Sequence, residues 1–150
     1  MAEVQTTYDT TLAPGYPGMI ANGETSNRIS RTCEDAGGIP FGVPVYRGVG
    51  DHGCTVTPAV GTFLGISIAH EALGLLAGQT ADAYPQYENV AILTQGVIWV
   101  TASEAVTDGA QAYGTTAGLI DDTSTSDTIL TGWFFDTTGS AADLVKLAKR

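Results

Sequence analysis

Residues 84–113, YPQYENVAILTQGVIWVTASEAVTDGAQAY, constrain the fold more than any other stretch, because they consist of strand and turn chemistry and hold no set of side chains suited to catalysis. Val90 and Ile92 project to one side of an extended chain and Ala91 and Leu93 to the other, so residues 89–94 are predicted as a strand buried on both faces. Gln95-Gly96 supplies turn chemistry, since glycine takes positive φ without a Cβ clash, and residues 97–100 return as a second β-rich run. The pair is predicted as a hairpin. Residues 101–109 have room for about one helical turn capped by Ser103, followed by a turn at Asp108-Gly109 that leads into residues 110–113.

The same chemistry extends outward in both directions. Residues 27–33 suit a strand, residues 39–46 a β run interrupted by Pro40 and Pro44 and therefore placed at an edge, and residues 61–68 a further strand around Gly65. Residues 48–53 and 123–127 form turn-rich or polar loops, the second leading into residues 129–135 with the aromatic bulk of Trp133, Phe134 and Phe135. Residues 141–149 fit either an amphipathic helix or a strand, and the strand is preferred because everything upstream is β. No fixed-period repeat argues for a solenoid or propeller. In residues 1–25, Pro14, Gly15, Pro17 and Gly18 break any regular element. That arm nevertheless carries Leu12, Tyr16, Met19 and Ile20, which need something to dock on. The predicted fold is mainly β: a compact, β-barrel-like single domain over residues 26–150 with an extended N-terminal arm over residues 1–25.

A chain of 150 residues can bury roughly 70% of its unfolded surface, enough for a core without staples. Charged residues make up 15%, below the roughly 25% of ordinary soluble domains, which leaves a hydroxyl-rich surface open to partners. Sixteen acidic residues against six basic ones give a net charge of −10, and no Lys or Arg falls between residues 49 and 145. Such a chain lacks the cations that displace counterions from phosphates, which argues against a nucleic-acid partner. No stretch approaches the roughly 18 apolar residues of a membrane span, and the first residues lack a basic start followed by an apolar core, so synthesis as a soluble cytoplasmic protein is expected. Cys33 and Cys54 are the only cysteines and are expected to be buried thiols.

Each constellation that suggests chemistry has a simpler explanation. His70-Glu71 lacks the second zinc-helix histidine, because position 74 is Gly. Cys33, His52 and Cys54 would need a fourth ligand at an unfamiliar spacing. Ser67, His70 and Asp82 supply triad residue types without a nucleophile elbow. Asp121, Asp122 and Asp127 lack the glycine and glutamate of a calcium loop and suit a solvated acidic loop. Asp9, Asp35, Glu88 and Glu104 could form a glycosidase pair only in an assumed fold. Scattered glycines give no nucleotide-binding fingerprint. No metal, no cofactor and no catalytic residue is assigned.

An ordered set of segments remains: Ala13-Pro-Gly-Tyr-Pro-Gly-Met-Ile-Ala21 in the arm, Asn27-Arg-Ile-Ser-Arg31, Phe41-Gly-Val-Pro-Val45, Phe63-Leu-Gly-Ile66, residues 84–93 continuing into Gly96-Val-Ile-Trp-Val100, and Gly132-Trp-Phe-Phe-Asp136. In this set the chain resembles the capsid decoration, or structural cement, proteins of tailed bacteriophages. The resemblance implies a small, commonly trimeric β-barrel protein on the outer surface of the virion, where it clamps neighbouring major capsid protein subunits and does no chemistry. On that basis Tyr16, Met19, Ile20, Arg28 and Arg31 are expected capsid contacts, and Trp99, Trp133, Phe134 and Phe135 are expected in a trimer contact or in the core. Cys33, Cys54 and the polar loop after Asp121 depart from the family's pattern. The competing reading is a carbohydrate-binding or adhesion module that stacks sugars on Tyr84, Tyr87 or Trp99.

Overall fold

Strand β7 (Asn89–Thr101) organises the molecule, because its two apolar faces require cover along 13 residues. The computed structural model describes residues 13–70, 82–125 and 127–150, and among them every regular element is a strand. The first half of β7 belongs to a closed barrel of five strands: β1 (Asn27–Cys33), β4 (Gly53–Thr55), β3 (Pro44–Arg47), β5 (Phe63–Ser67) and β7 pair in that order, and β7 pairs back to β1. Cys33, Val45, Cys54, Val90 and Ile92 fill its interior, joined by Ile39 and Tyr84 from a short ribbon of β2 (Ile39–Pro40) and β6 (Ala83–Tyr84).

The second half of β7 begins another sheet. It continues through β11 (Leu144–Lys149), β10 (Thr128–Phe135), β8 (Gln111–Gly114) and β9 (Ile120–Asp121), and Ile120 returns to Ala102 just beyond β7 through a parallel bridge. Its core holds Ile98, Val100, Leu130, Trp133, Phe135, Val145 and Leu147, and reaches Ile66 and Leu93 on the outside of the first barrel. Complete burial of each such aliphatic or aromatic side chain is worth about 1.5–3 kcal/mol. The molecule is therefore one domain in which two curled sheets share a strand.

The hairpin expected at Gln95-Gly96 does not form. Gly96 does take positive φ, at 128°, but it marks a bulge: Asn27 pairs with Gln95 and Arg28 with Leu93, which leaves Thr94 as the extra residue. A bulge bends the strand while leaving both edges of each half available, and β1, β5 and β11 occupy those edges. The helical turn expected after Thr101 is also absent. Ala102 bridges to Ile120 instead, and the Ser103 amide and hydroxyl both donate to the Ile120 carbonyl. Strand β3 is interior rather than at an edge, between β4 and β5; Pro44 is tolerated as its first residue. The strand preferred at the C-terminus is present as β11.

Two local devices hold the sheets in place. Gly65 lies so close to β7 that a Cβ there would fall 2.1 Å from the Leu93 carbonyl oxygen, so β5 can approach only with glycine at this point. In β10 the register against β8 shifts between Ile129 and Phe134, and the side-chain amide of Gln111 donates to the Leu130 and Trp133 carbonyls at 2.9 Å each, with the Ala112 carbonyl also at 2.9 Å. One amide thus satisfies acceptors that the irregular stretch removes from the ladder.

Candidate functional site

What the surface can offer depends on which side chains and backbone groups the fold itself already uses. Where described, the arm is joined to the fold. Gly18 N donates to the Trp99 carbonyl, Trp99 N to the Met19 carbonyl and Ala21 N to the Val97 carbonyl, at 2.8–2.9 Å, and Ile20 bridges antiparallel to Ile98. Residues 18–21 therefore extend the ladder of β1 along β7. Gly15 rests on the Trp99 indole, where a Cβ would fall 2.7 Å from Cδ1, and Lys146 Nζ lies 5.3 Å from the centre of the same ring.

The end of the arm is tied to the end of the chain. The Arg150 guanidinium pairs with Glu24 at 3.0 Å and with Asp136 at 3.0 Å, and two donors face each carboxylate. Hydrogen bonds from Arg150 hold both carboxyl groups below their ordinary range, and the two carboxylates raise Arg150. These are the only ion pairs among the described residues, so the chain's other five basic residues have no carboxylate partner there.

The five residues expected to face a capsid fall into separate groups. Tyr16 is exposed and Met19 and Ile20 are half-buried along the second half of β7. Arg28 is exposed and pairs across from Leu93, whereas Arg31 pairs across from Val90. Ile20 sits opposite position 98 and Arg31 opposite position 90, a separation of roughly 26 Å along β7 at about 3.3 Å per residue. Arg31 shares the inward face of β1 with Ile29 and Cys33, and its Nη1 emerges at the barrel end, 3.0 Å from His52 Nδ1. Of the four aromatic residues, Trp133 and Phe135 lie in the chain's own core and Trp99 is buried beneath the arm, while Phe134 is 45% exposed.

Several of the residues that suggested chemistry have structural roles within the fold. Ser67 Oγ donates to the Pro40 carbonyl at 2.7 Å and accepts from Val43 N at 3.0 Å, fully buried. Cys33 and Cys54 are buried thiols opposite one another on β1 and β4; burial raises both, and Cys54 is pushed up to about 12. Asp35 binds the Thr55 hydroxyl and Val56 N. Asp121 is not in a solvated loop as expected: it is buried, and desolvation raises its carboxyl. Tyr84 and Trp99, offered as sugar-stacking platforms, are also buried, at 1% and 8% exposure, so that reading keeps only Tyr87. Leu12, Asp9, Glu71 and Gly74 lie outside the described residues.

The family described as "Structural cement protein (E217 gp24/Pam3 gp6)" matches residues 4–149, nearly the whole chain. The chain belongs to the structural cement protein family. A solved chain described as "The capsid of Myoviridae Phage XM1" shares the cement protein's fold with a TM-score of 0.71 at 14% identity, over 94% of this chain and 93% of that one. No curated protein matches its sequence. Membership agrees with the expected β-barrel architecture.

Two residues that matter to the surface were not singled out from the sequence. Val49 stands 90% exposed at the tip of the turn between β3 and β4, and Glu34 holds that turn from beneath. An apolar residue flanked by Gly48 and Gly50 is a legible signal for the first. Nothing local marks Glu34, whose partners lie 15 and 16 residues away.

Proposed function

We propose that this chain is a capsid cement that binds the outer surface of an icosahedral phage head as a trimer and bridges neighbouring major capsid protein subunits. The observation that carries the reading is the family match over residues 4–149, which assigns a structural, capsid-stabilising role and a place on the capsid of the virion. The physical rationale is multivalency. A specific interface needs only about 800 Å² per partner, and many copies on one lattice prevent subunits from separating singly, so a modest local affinity stabilises a whole shell. Contacts with the capsid come from the exposed parts of the arm and β1, with Tyr16 and Arg28 foremost, while Met19 and Ile20 set the path of the arm on β7. In the trimer, Phe134 is the expected aromatic contact, because its neighbours Trp133 and Phe135 are occupied within the chain.

The test uses heads that lack this protein. Adding the purified chain is expected to give saturable binding and to raise the temperature at which the heads release their DNA; heads that bind none of it refute the reading. Since residues 18–21 complete the β7 ladder, side-chain replacements test the arm more cleanly than its deletion. Tyr16→Ser with Arg28→Glu is expected to weaken binding while the folded state persists. Light scattering at micromolar concentration checks the trimer, and a monomer there contradicts it.

A further inference from the structure

The two most exposed large apolar side chains among the described residues are Val49, at 90%, and Tyr87, at 78%. They lie on turns separated by nearly forty positions, yet both turns are fastened to the same corner of the barrel. The Glu34 carboxylate accepts from Val49 N and Gly50 N at 2.7 Å each, so the turn between β3 and β4 wraps around a half-buried carboxylate. The Glu34 carbonyl accepts from Gln86 Nε2 at 3.0 Å, and the adjacent Cys33 exchanges backbone bonds with the same turn, Tyr87 N to the Cys33 carbonyl and Cys33 N to the Glu88 carbonyl at 2.9 Å. Tyr87 is held at a φ of 70°, a conformation that a bulky residue adopts only where its surroundings impose it.

Next to this pair stands Arg31, with His52 as its side-chain neighbour and no carboxylate partner among the described residues. Exposed tyrosine and valine give no folding advantage at a turn tip, and a rigid mount lowers the entropy lost when they are buried by a partner. In a chain of net charge −10, a cation left unpaired beside them selects a carboxylate on the other side.

We propose that this end of the barrel is a second, preformed contact with the capsid: Val49 and Tyr87 enter an apolar socket on a capsid subunit, and Arg31 meets a carboxylate at its rim. The proposal rests on the cement reading above and places a contact at the far end of β7 from the arm. A molecule gripped at both ends spans two positions on a lattice, which a single contact patch does not achieve.

The experiment compares the wild-type chain with the double variant Val49→Ser, Tyr87→Asn on heads lacking the protein. Asparagine tolerates positive φ, and both side chains are exposed, so the variant is expected to melt with the wild type. Removing the anchors is expected to weaken binding at least about tenfold, the loss that truncation of central contact residues produces. Arg31→Gln is expected to flatten the salt dependence of binding. Wild-type binding with an equally tight double variant overturns this proposal and leaves the cement reading standing, whereas failure of the wild type to bind removes both. A double variant that binds heads normally but no longer self-associates assigns the knob to a contact between copies and also overturns it.

Discussion

Replacing Gln111 with leucine tests whether the irregular stretch of β10 is held in place by one side chain. The Gln111 amide has two hydrogens, and three carbonyls, those of Ala112, Leu130 and Trp133, lie 2.9 Å from its nitrogen. Leucine keeps the approximate volume and removes both donors. Two lost hydrogen bonds at about 1 kcal/mol each give about 2 kcal/mol, and carbonyls left dry beside buried Leu130 and Trp133 bring the total to about 4 kcal/mol. At roughly 2–4 °C per kcal/mol for a domain of this size, the melting temperature is expected to fall by roughly 8–16 °C in calorimetry. Gln111→Glu sharpens the test. At neutral pH it presents a carboxylate to carbonyl oxygens and is expected to be worse than leucine, and below about pH 4 its protonated form regains one donor and the gap narrows. A leucine variant that melts within about 2 °C of wild type would show that water serves these carbonyls and refute the reasoning.

Three further outcomes follow from the structure. Gly65→Val forces a side chain into the Leu93 carbonyl and Ile92 and is expected to cost about 3 kcal/mol, lowering the urea midpoint; an unchanged midpoint would mean that β5 and β7 are not closely apposed. Arg150→Ala releases Glu24 and Asp136, so amides of residues 18–21 should exchange faster with solvent. Because both carboxyls are lowered from ordinary values of 4.5 and 3.8, the stabilisation from the pair is complete above those values and lost as pH falls through the folded ones. Acid should therefore lower the protection factors of these amides, each taken relative to the unprotected rate at the same pH, in the wild type without affecting the variant; protection that persists in the variant contradicts the tie. Asp121→Asn keeps an oxygen for Thr123 N and removes a buried charge, so at pH 7 its melting temperature is expected to equal or exceed wild type, and a clear drop would show that the charge itself is needed.

The legible parts of the fold were those encoded locally. Residues 27–33 have strand chemistry with turn residues on both sides, and β1 occupies that span. Apolar residues on both faces of residues 90–93 correctly signalled burial on both sides. The chemistry of Gln95-Gly96 was equally local, but a glycine at positive φ serves a turn or a bulge, and only the partners of each half decide between them. Those partners, β1 and β11, lie at opposite ends of the chain. The same limit applies to the surface. Arg28 and Arg31 adjoin the arm in sequence, but strand geometry carries Arg31 to the other end of β7, next to a turn fastened by Glu34. Trp99 has the residue type of a contact platform, and the backbone of the arm covers it. Contacts made over long sequence distances leave no periodicity or motif to read.

Electron microscopy of whole phage heads at subnanometre resolution is the most direct measurement. The predicted result is density for the barrel and its joined sheet on the outer surface of the capsid, repeated over the lattice, with each copy touching more than one major capsid subunit. Finding the chain only at the tail, or in no particle, would contradict a cement role.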